Sequence, residues 1–155
     1  FVPDGNYKKF LETNSDIKPK EGNIVNSKGE VLGKHTGLYK YTIGQRKGLG
    51  IAHENPLYVV GFNKDNNELI VGEEKDLYKS SFEVKDYNLL LVDDITAPIK
   101  VNVRTRYKSL EYPATIEKKE NNILVKLDNP IKGVTSGQSA VFYIDDIVLG
   151  GGIIK

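Results

Sequence analysis

Of the 155 residues none is cysteine, methionine or tryptophan. Without cysteine the chain has no disulfide, no thiolate metal ligand and no thiol nucleophile. Long apolar runs are also missing. The longest runs, such as residues 88–92, are far short of the ~20 residues a membrane helix needs, and the chain does not open on a basic, apolar and small-residue secretion signal. Charge of one sign is scarce too: 22 Lys and Arg against 21 Asp and Glu leave a net charge of +1. A globally basic, nucleic-acid-coating protein is thereby excluded, and any anion site must come from local charge. These absences point to a chain that acts without a membrane, with the cytoplasm as its expected compartment.

The catalytic inventory is equally thin. His35 and His53 fall in separate loops, and no Ser or Thr lies in a nucleophile-elbow sequence, so neither a triad nor its variants can be assembled. Both histidines read as surface or structural. Asp93-Asp94 and Asp145-Asp146 have the position of turn residues, and no acidic cluster has the spacing of a cation site. No metal is expected here.

What is present is a core and a clear organisation. With 39% hydrophobic residues, a chain of this length can bury ~70% of its unfolded surface. Asp4 is a fitting N-cap, and Tyr7, Phe10 and Leu11 follow at helical spacing. The pattern predicts a helix over about residues 4–14 that cannot pass Pro19. From residue 23 the period becomes that of strands. Asn23-Ile24-Val25 and Val31-Leu32 flank the turn Ser27-Lys28-Gly29, and residues 57–60 and 69–71 flank Asp65-Asn66-Asn67. Both read as hairpins, while residues 37–43 suit a short helix or a strand.

After Tyr78 strands are predicted at 82–91, 99–107, 112–118, 123–127, 139–143 and 147–154. Val101, Val103 and Thr105 alternate with Asn102, Arg104 and Arg106, a period of two with one wet face. Six short strands without an intervening helix favour closure, which removes the exposed edges of a sheet. The fold class expected is therefore mostly β with a small α+β part. A central α+β domain would occupy residues 1–77, and a six-stranded closed antiparallel β-barrel residues 78–155.

Two windows break the charge balance. Between Glu30 and Glu54 there is no acid, but Lys34, Lys40, Arg46 and Lys47 are present; between Asp94 and Glu111 there is again none, but Lys100, Arg104, Arg106 and Lys108 are. Focused positive charge attracts phosphates. In the first window Gly44, Gln45, Arg46 and Lys47 belong to a loop, residues 44–50, with three glycines around two cations. Such a loop can turn backbone N–H groups towards an anion, although it lacks the Gly-Lys-Ser/Thr spacing of a Walker loop. In the second, Arg106 and Tyr107 combine a bidentate phosphate ligand with a ring that can stack on a base. The competing reading puts Tyr107 inside and pairs the arginines with acids of a neighbouring strand.

Residues 42–51 (TIGQRKGLGI), 104–107 (RTRY), 134–143 (VTSGQSAVFY) and 149–153 (LGGGI) together resemble the tRNA-uridine 2-sulfurtransferase (tRNA 2-thiouridylase) family, in order and spacing along the whole chain. The resemblance implies an ATP- and magnesium-dependent transferase that adenylates the wobble uridine of tRNA and then introduces sulfur from a cysteine persulfide. It also implies a sulfur-donor partner, a cysteine desulfurase or relay protein. In that family a catalytic cysteine immediately precedes a Phe-Ile/Val-Pro-Asp-Gly string, and this chain opens with Phe1-Val2-Pro3-Asp4-Gly5. The resemblance thus implies a C-terminal, tRNA-binding portion without catalytic residues or a cofactor of its own, inactive alone. It further implies tRNA contacts at Arg106, Tyr107 and Gln138, where Gly137-Gln138 also suits a plain β-turn. No role for the 44–50 loop is implied; a phosphate or cleft contact is the physical expectation there. Two other readings remain: a module that docks the sulfur donor, and a free-standing barrel like those of translation factors.

Overall fold

The computed structural model describes residues 19–155; the helix expected over residues 4–14 lies outside them. Contacts divide the chain into two units, Phe1–Leu77 and Tyr78–Lys155.

In the first unit four short strands form one mixed sheet: β1 (Gly22–Val25), β2 (Val31–His35), β3 (Tyr58–Asn63) and β4 (Glu68–Gly72), in the order β2-β1-β4-β3. The two hairpins expected from the sequence form the antiparallel pairs β1–β2 and β3–β4, and β1 joins β4 in parallel. Ile24, Val59, Leu69 and Val71 are fully buried, and Leu49 from the connecting loop covers them. Residues 37–43 adopt neither regular state; a 3-10 turn at Leu38–Lys40 resolves that ambiguity.

His35 belongs to this core. Its Nδ1 accepts from the Gly37 N–H at 3.1 Å, so the proton sits on Nε2, which donates to the Asn67 carbonyl at 2.9 Å. A buried ring with both nitrogens satisfied costs little, and it ties β2 to the β3–β4 turn. The structural reading of His35 holds. His53 is exposed, and its Nδ1 lies 3.2 Å from both the N–H and the carbonyl oxygen of the nearby Asn55.

The second unit is a closed antiparallel barrel of β5 (Tyr78–Leu89), β6 (Ile99–Arg104), β7 (Tyr112–Lys119), β8 (Asn122–Lys132), β9 (Ser139–Ile144) and β10 (Ile147–Ile154), in the circular order β10-β5-β8-β7-β6-β9. The alternation read from the sequence sets which face is wet. Val84, Val103, Ile116, Val125, Phe142 and Leu149, one from each strand, are fully buried in a single interior cluster. β6, β7 and β8 are consecutive hairpin strands, and β9 returns across one end to pair with β6, which is a Greek key.

Closure depends on the glycines of β10. A Cβ at Gly150 would lie 2.3 Å from the Asn88 carbonyl oxygen, and one at Gly151 would lie 2.5 Å from that of Ala140. Side chains there would push β5 and β9 away from the strand that joins them. Register shifts on both sides of the glycine run supply the local coiling.

Candidate nucleic-acid interface

The Greek-key return builds the site. β6 and β9 run antiparallel, with Asn102 opposite Tyr143 and Arg104 opposite Val141. The chain leaving β6 therefore meets the chain entering β9. Both segments are tight turns. The Ser109 N–H donates to the Arg106 carbonyl at 3.1 Å, and the Gln138 N–H donates to the Thr135 carbonyl at 3.2 Å. Gly137 takes φ 86 in the second turn, which is the left-handed position such a turn requires. Gln138 does close a β-turn, and the turn leaves its side chain exposed at the rim.

Arg106, Tyr107 and Gln138, singled out in the sequence, are brought together with Arg104, Lys108 and Tyr143 around one groove of about 600 Å³. One expectation needs correction. Strand β6 ends at Arg104, so Arg106 and Tyr107 are not strand residues but stand in the turn that follows. Thr105 is still buried, so the inside-outside alternation runs one residue pair past the last ladder bond. Tyr107 does not pack inward: it is 90% exposed.

The arginines differ from one another. Arg104 Nη2 donates to Glu111 Oε1 at 2.9 Å, and its guanidinium carbon lies 5.2 Å from the ring centre of Tyr143. Asn102, Arg104, Val141 and Tyr143 share the outer face of the pair, which makes Arg104 and Tyr143 diagonal neighbours. Among the described residues no acid pairs with Arg106. Its charge is therefore available, and Lys108, 5.6 Å from the Tyr107 ring centre, adds to it. Tyr143 belongs to the groove but was not singled out in the sequence. The signal was the alternation of inward Ala140 and Phe142 with outward Val141 and Tyr143, which needs the partner strand to become a site.

The first-unit loop has another character. The Gly44 N–H donates to the Val59 carbonyl at 2.8 Å, and the Gln45 N–H donates to Thr42. The Gln45 side chain accepts from the Thr42 N–H at 3.1 Å and donates to the Lys47 carbonyl at 2.9 Å. Gly44 and Gln45 thus hold the loop to itself and to β3, and neither turns an N–H outward. Arg46 and Lys47 remain exposed and without an acidic partner among the described residues; Arg46, Gly48, Gly50 and His53 edge a shallow depression of about 530 Å³.

Comparison with known proteins follows the same division. A family model described as the tRNA methyl transferase PRC-barrel domain matches residues 8–73, and one described as the aminomethyltransferase beta-barrel domain matches residues 79–154. Over its whole length the chain is 44% identical to the tRNA-specific 2-thiouridylase MnmA of Acetivibrio thermocellus and 45% identical to that of Halothermothrix orenii. It is 41% identical to that of Clostridioides difficile. The chain spans less than half of these relatives, 44%, 44% and 43% of their lengths respectively.

Proposed function

We propose, from the premise that this chain belongs to the tRNA-specific 2-thiouridylase family, that it is the tRNA-holding portion of such an enzyme. The observation that carries this reading is the convergence of Arg106, Tyr107 and Gln138 on one groove. Arg106, exposed and without an acidic partner among the described residues, contacts phosphate; Tyr107 offers a ring; Gln138 supplies an amide that can both donate and accept. Arg46 and Lys47 add a second, weaker phosphate contact. The whole protein would act in the cytoplasm and convert the wobble uridine to 2-thiouridine, using ATP with magnesium and sulfur received from a donor protein.

The described residues do not fit the nucleotide or its metal. The N–H groups of Gly44 and Gln45 are bonded within the protein, and among the described residues no three acidic or histidine side chains gather to hold a cation. Under this reading activation of the uridine belongs to the part of the relatives that this chain does not match. The chain contributes affinity and orientation, and alone it forms no 2-thiouridine.

Titration with a tRNA carrying a wobble uridine, at two salt concentrations, tests the reading. Affinity should fall with salt at a slope of about −0.7 to −0.9 per phosphate neutralised. Arg106→Glu should weaken binding by roughly 1–3 kcal/mol with the fold intact, since the side chain is exposed. Lys85→Glu, on β5 and exposed, is the control. Equal affinity of wild type and Arg106→Glu would reject this face. Binding of the sulfur donor in place of tRNA would favour the docking reading.

A further inference from the structure

The groove beside β6 and β9 has more in it than phosphate binding needs. A phosphate site wants cations and N–H groups. This one also holds an aromatic ring that is 90% exposed and a second ring already packed against a guanidinium. Building on the reading above, we infer that the groove accepts one unpaired, unstacked nucleotide, with Tyr107 as its stacking platform and the Arg104–Tyr143 pair as the facing wall.

Three features carry the inference. Tyr107 stands second in the turn closed from Ser109 to Arg106, and the next residue, Lys108, has φ 61 although it is not glycine. A left-handed lysine costs about 1 kcal/mol, yet this conformation is what keeps the tyrosine at the tip of the turn and out of the barrel. Arg104 is held from two sides, by Glu111 at 2.9 Å and by the ring of Tyr143 at 5.2 Å. A guanidinium so constrained is a planar surface on which a base can lie, as it can on an aromatic ring. Lastly, the space is a concavity of about 600 Å³, large enough for a nucleotide. Bases inside an A-form duplex are paired and stacked away from such a groove, whereas a base splayed from a loop can enter it. Arg106 and Lys108 then meet the phosphates on either side, and Gln138 meets a base edge or a ribose hydroxyl.

A short single-stranded RNA with 2-aminopurine at one position, and the same strand in a duplex, separate this inference from the broader reading. The full chain should bind the single strand about tenfold more tightly than the duplex, and stacking should quench the 2-aminopurine emission. Tyr107→Leu should lower affinity by roughly tenfold, the scale of one lost base–aromatic stack, and remove the quench without changing the salt slope. Tyr107→Phe should retain both. Arg104→Lys keeps the charge but loses the plane, so the quench at saturation should shrink while the salt slope stays. Far-ultraviolet spectra and melting curves matching the wild type establish that each variant is folded. If single strand and duplex bind alike, and Tyr107→Leu keeps affinity and quench while Arg106→Glu loses binding, the groove reads phosphate alone; the inference falls and the tRNA reading stands. If neither RNA binds, both fall.

Discussion

Two stretches without acids, each holding four cations, meet different fates in the two units. In the barrel Lys100 and Arg104 lie on β6, and Arg106 and Lys108 stand in the turn that follows it, where β9 arrives. The side chains are free to face a groove, and one arginine is fixed by an acid and a ring. In the first unit Lys34 lies on β2 and Lys40 in the 3-10 turn, while Arg46 and Lys47 sit in the glycine-rich loop. Its amide side chain and two of its N–H groups bond within the loop and to Val59, and Arg46 and Lys47 stay exposed with no acidic partner among the described residues. The number of cations was the same in both windows. What separates them is what the neighbouring side chains are left to do: Tyr107 and Gln138 stay exposed beside Arg106, whereas the Gln45 amide is bonded within its own loop.

The sharpest test of that contrast removes the scaffold under one window. Phe142 fills the barrel interior directly beneath the β6–β9 pair, and Phe142→Ala should cost about 3–5 kcal/mol. If the units have separate cores, denaturant unfolding should show the barrel transition shifting while the first-unit transition stays, and residues 78–155 expressed alone should fold. A single shifted transition, or an unfolded spectrum of the isolated barrel, would merge the two cores.

A smaller effect compares the two windows directly. The double variant Arg46→Glu with Lys47→Glu should weaken tRNA binding by less than the roughly 1–3 kcal/mol expected of Arg106→Glu, since the Gln45 amide beside them is bonded within its own loop, whereas Arg106 shares a groove with Tyr107, Lys108 and Gln138. An equal loss in filter-binding or anisotropy titrations would show that the first-unit loop carries as much of the contact as the groove.

Gln45→Ala tests the loop as a self-contained structure. Two side-chain hydrogen bonds are lost at a half-buried position, so stability of the first unit should fall by about 1–2 kcal/mol. Affinity for tRNA should change less than it does with the charge reversals. A large loss of binding with unchanged stability would reinstate the amide as a ligand.

The smallest effect concerns acid. Glu83 on β5 accepts from Lys119, Asn122 and Lys155, and the Lys119 hydrogen bond, followed by that of Asn122, holds its carboxyl down from 4.5 to about 2. Because the folded value is the lower one, this clamp is complete above pH 4.5 and is lost as pH falls towards about 2. Glu83→Gln should flatten the decline in barrel melting temperature over that interval and leave the first-unit transition unchanged. A decline as steep in the variant as in the wild type would place the acid sensitivity elsewhere.

Most strands of the barrel were legible because a half-buried strand writes its two faces into alternate residues. The bounds of β5 and β8 were not. Strand β8 runs to Lys132, past the expected end at residue 127 and through Asp128, Asn129 and Pro130; it continues because Tyr78 and Lys79 lie opposite Lys132 and Ile131. The register shifts between Lys79 and Ser81, and the extra residues of β8, proline among them, bulge without needing ladder bonds. A polar start such as Lys79-Ser80-Ser81 carries no periodic signal. The pairing partner defines it.

Periodicity, turn residues and the placement of charge therefore determined on their own that the second half is a barrel, which faces of its strands are wet, and that Arg106 and Tyr107 stand at an electropositive place. Gln138 and the LGGGI run were readable only as a string resembling a family. Tertiary structure decided that Gln138 and Tyr143 join Arg106, because the Greek-key return sets the β6–β9 register. It also decided that the three glycines of β10 serve chain-to-chain approach, and that Gly44 and Gln45 hold their own loop. The physical reason is common to all of these. A residue type states what a side chain can bond to, but whether that capacity is left over for a ligand depends on which distant groups the fold has already placed beside it.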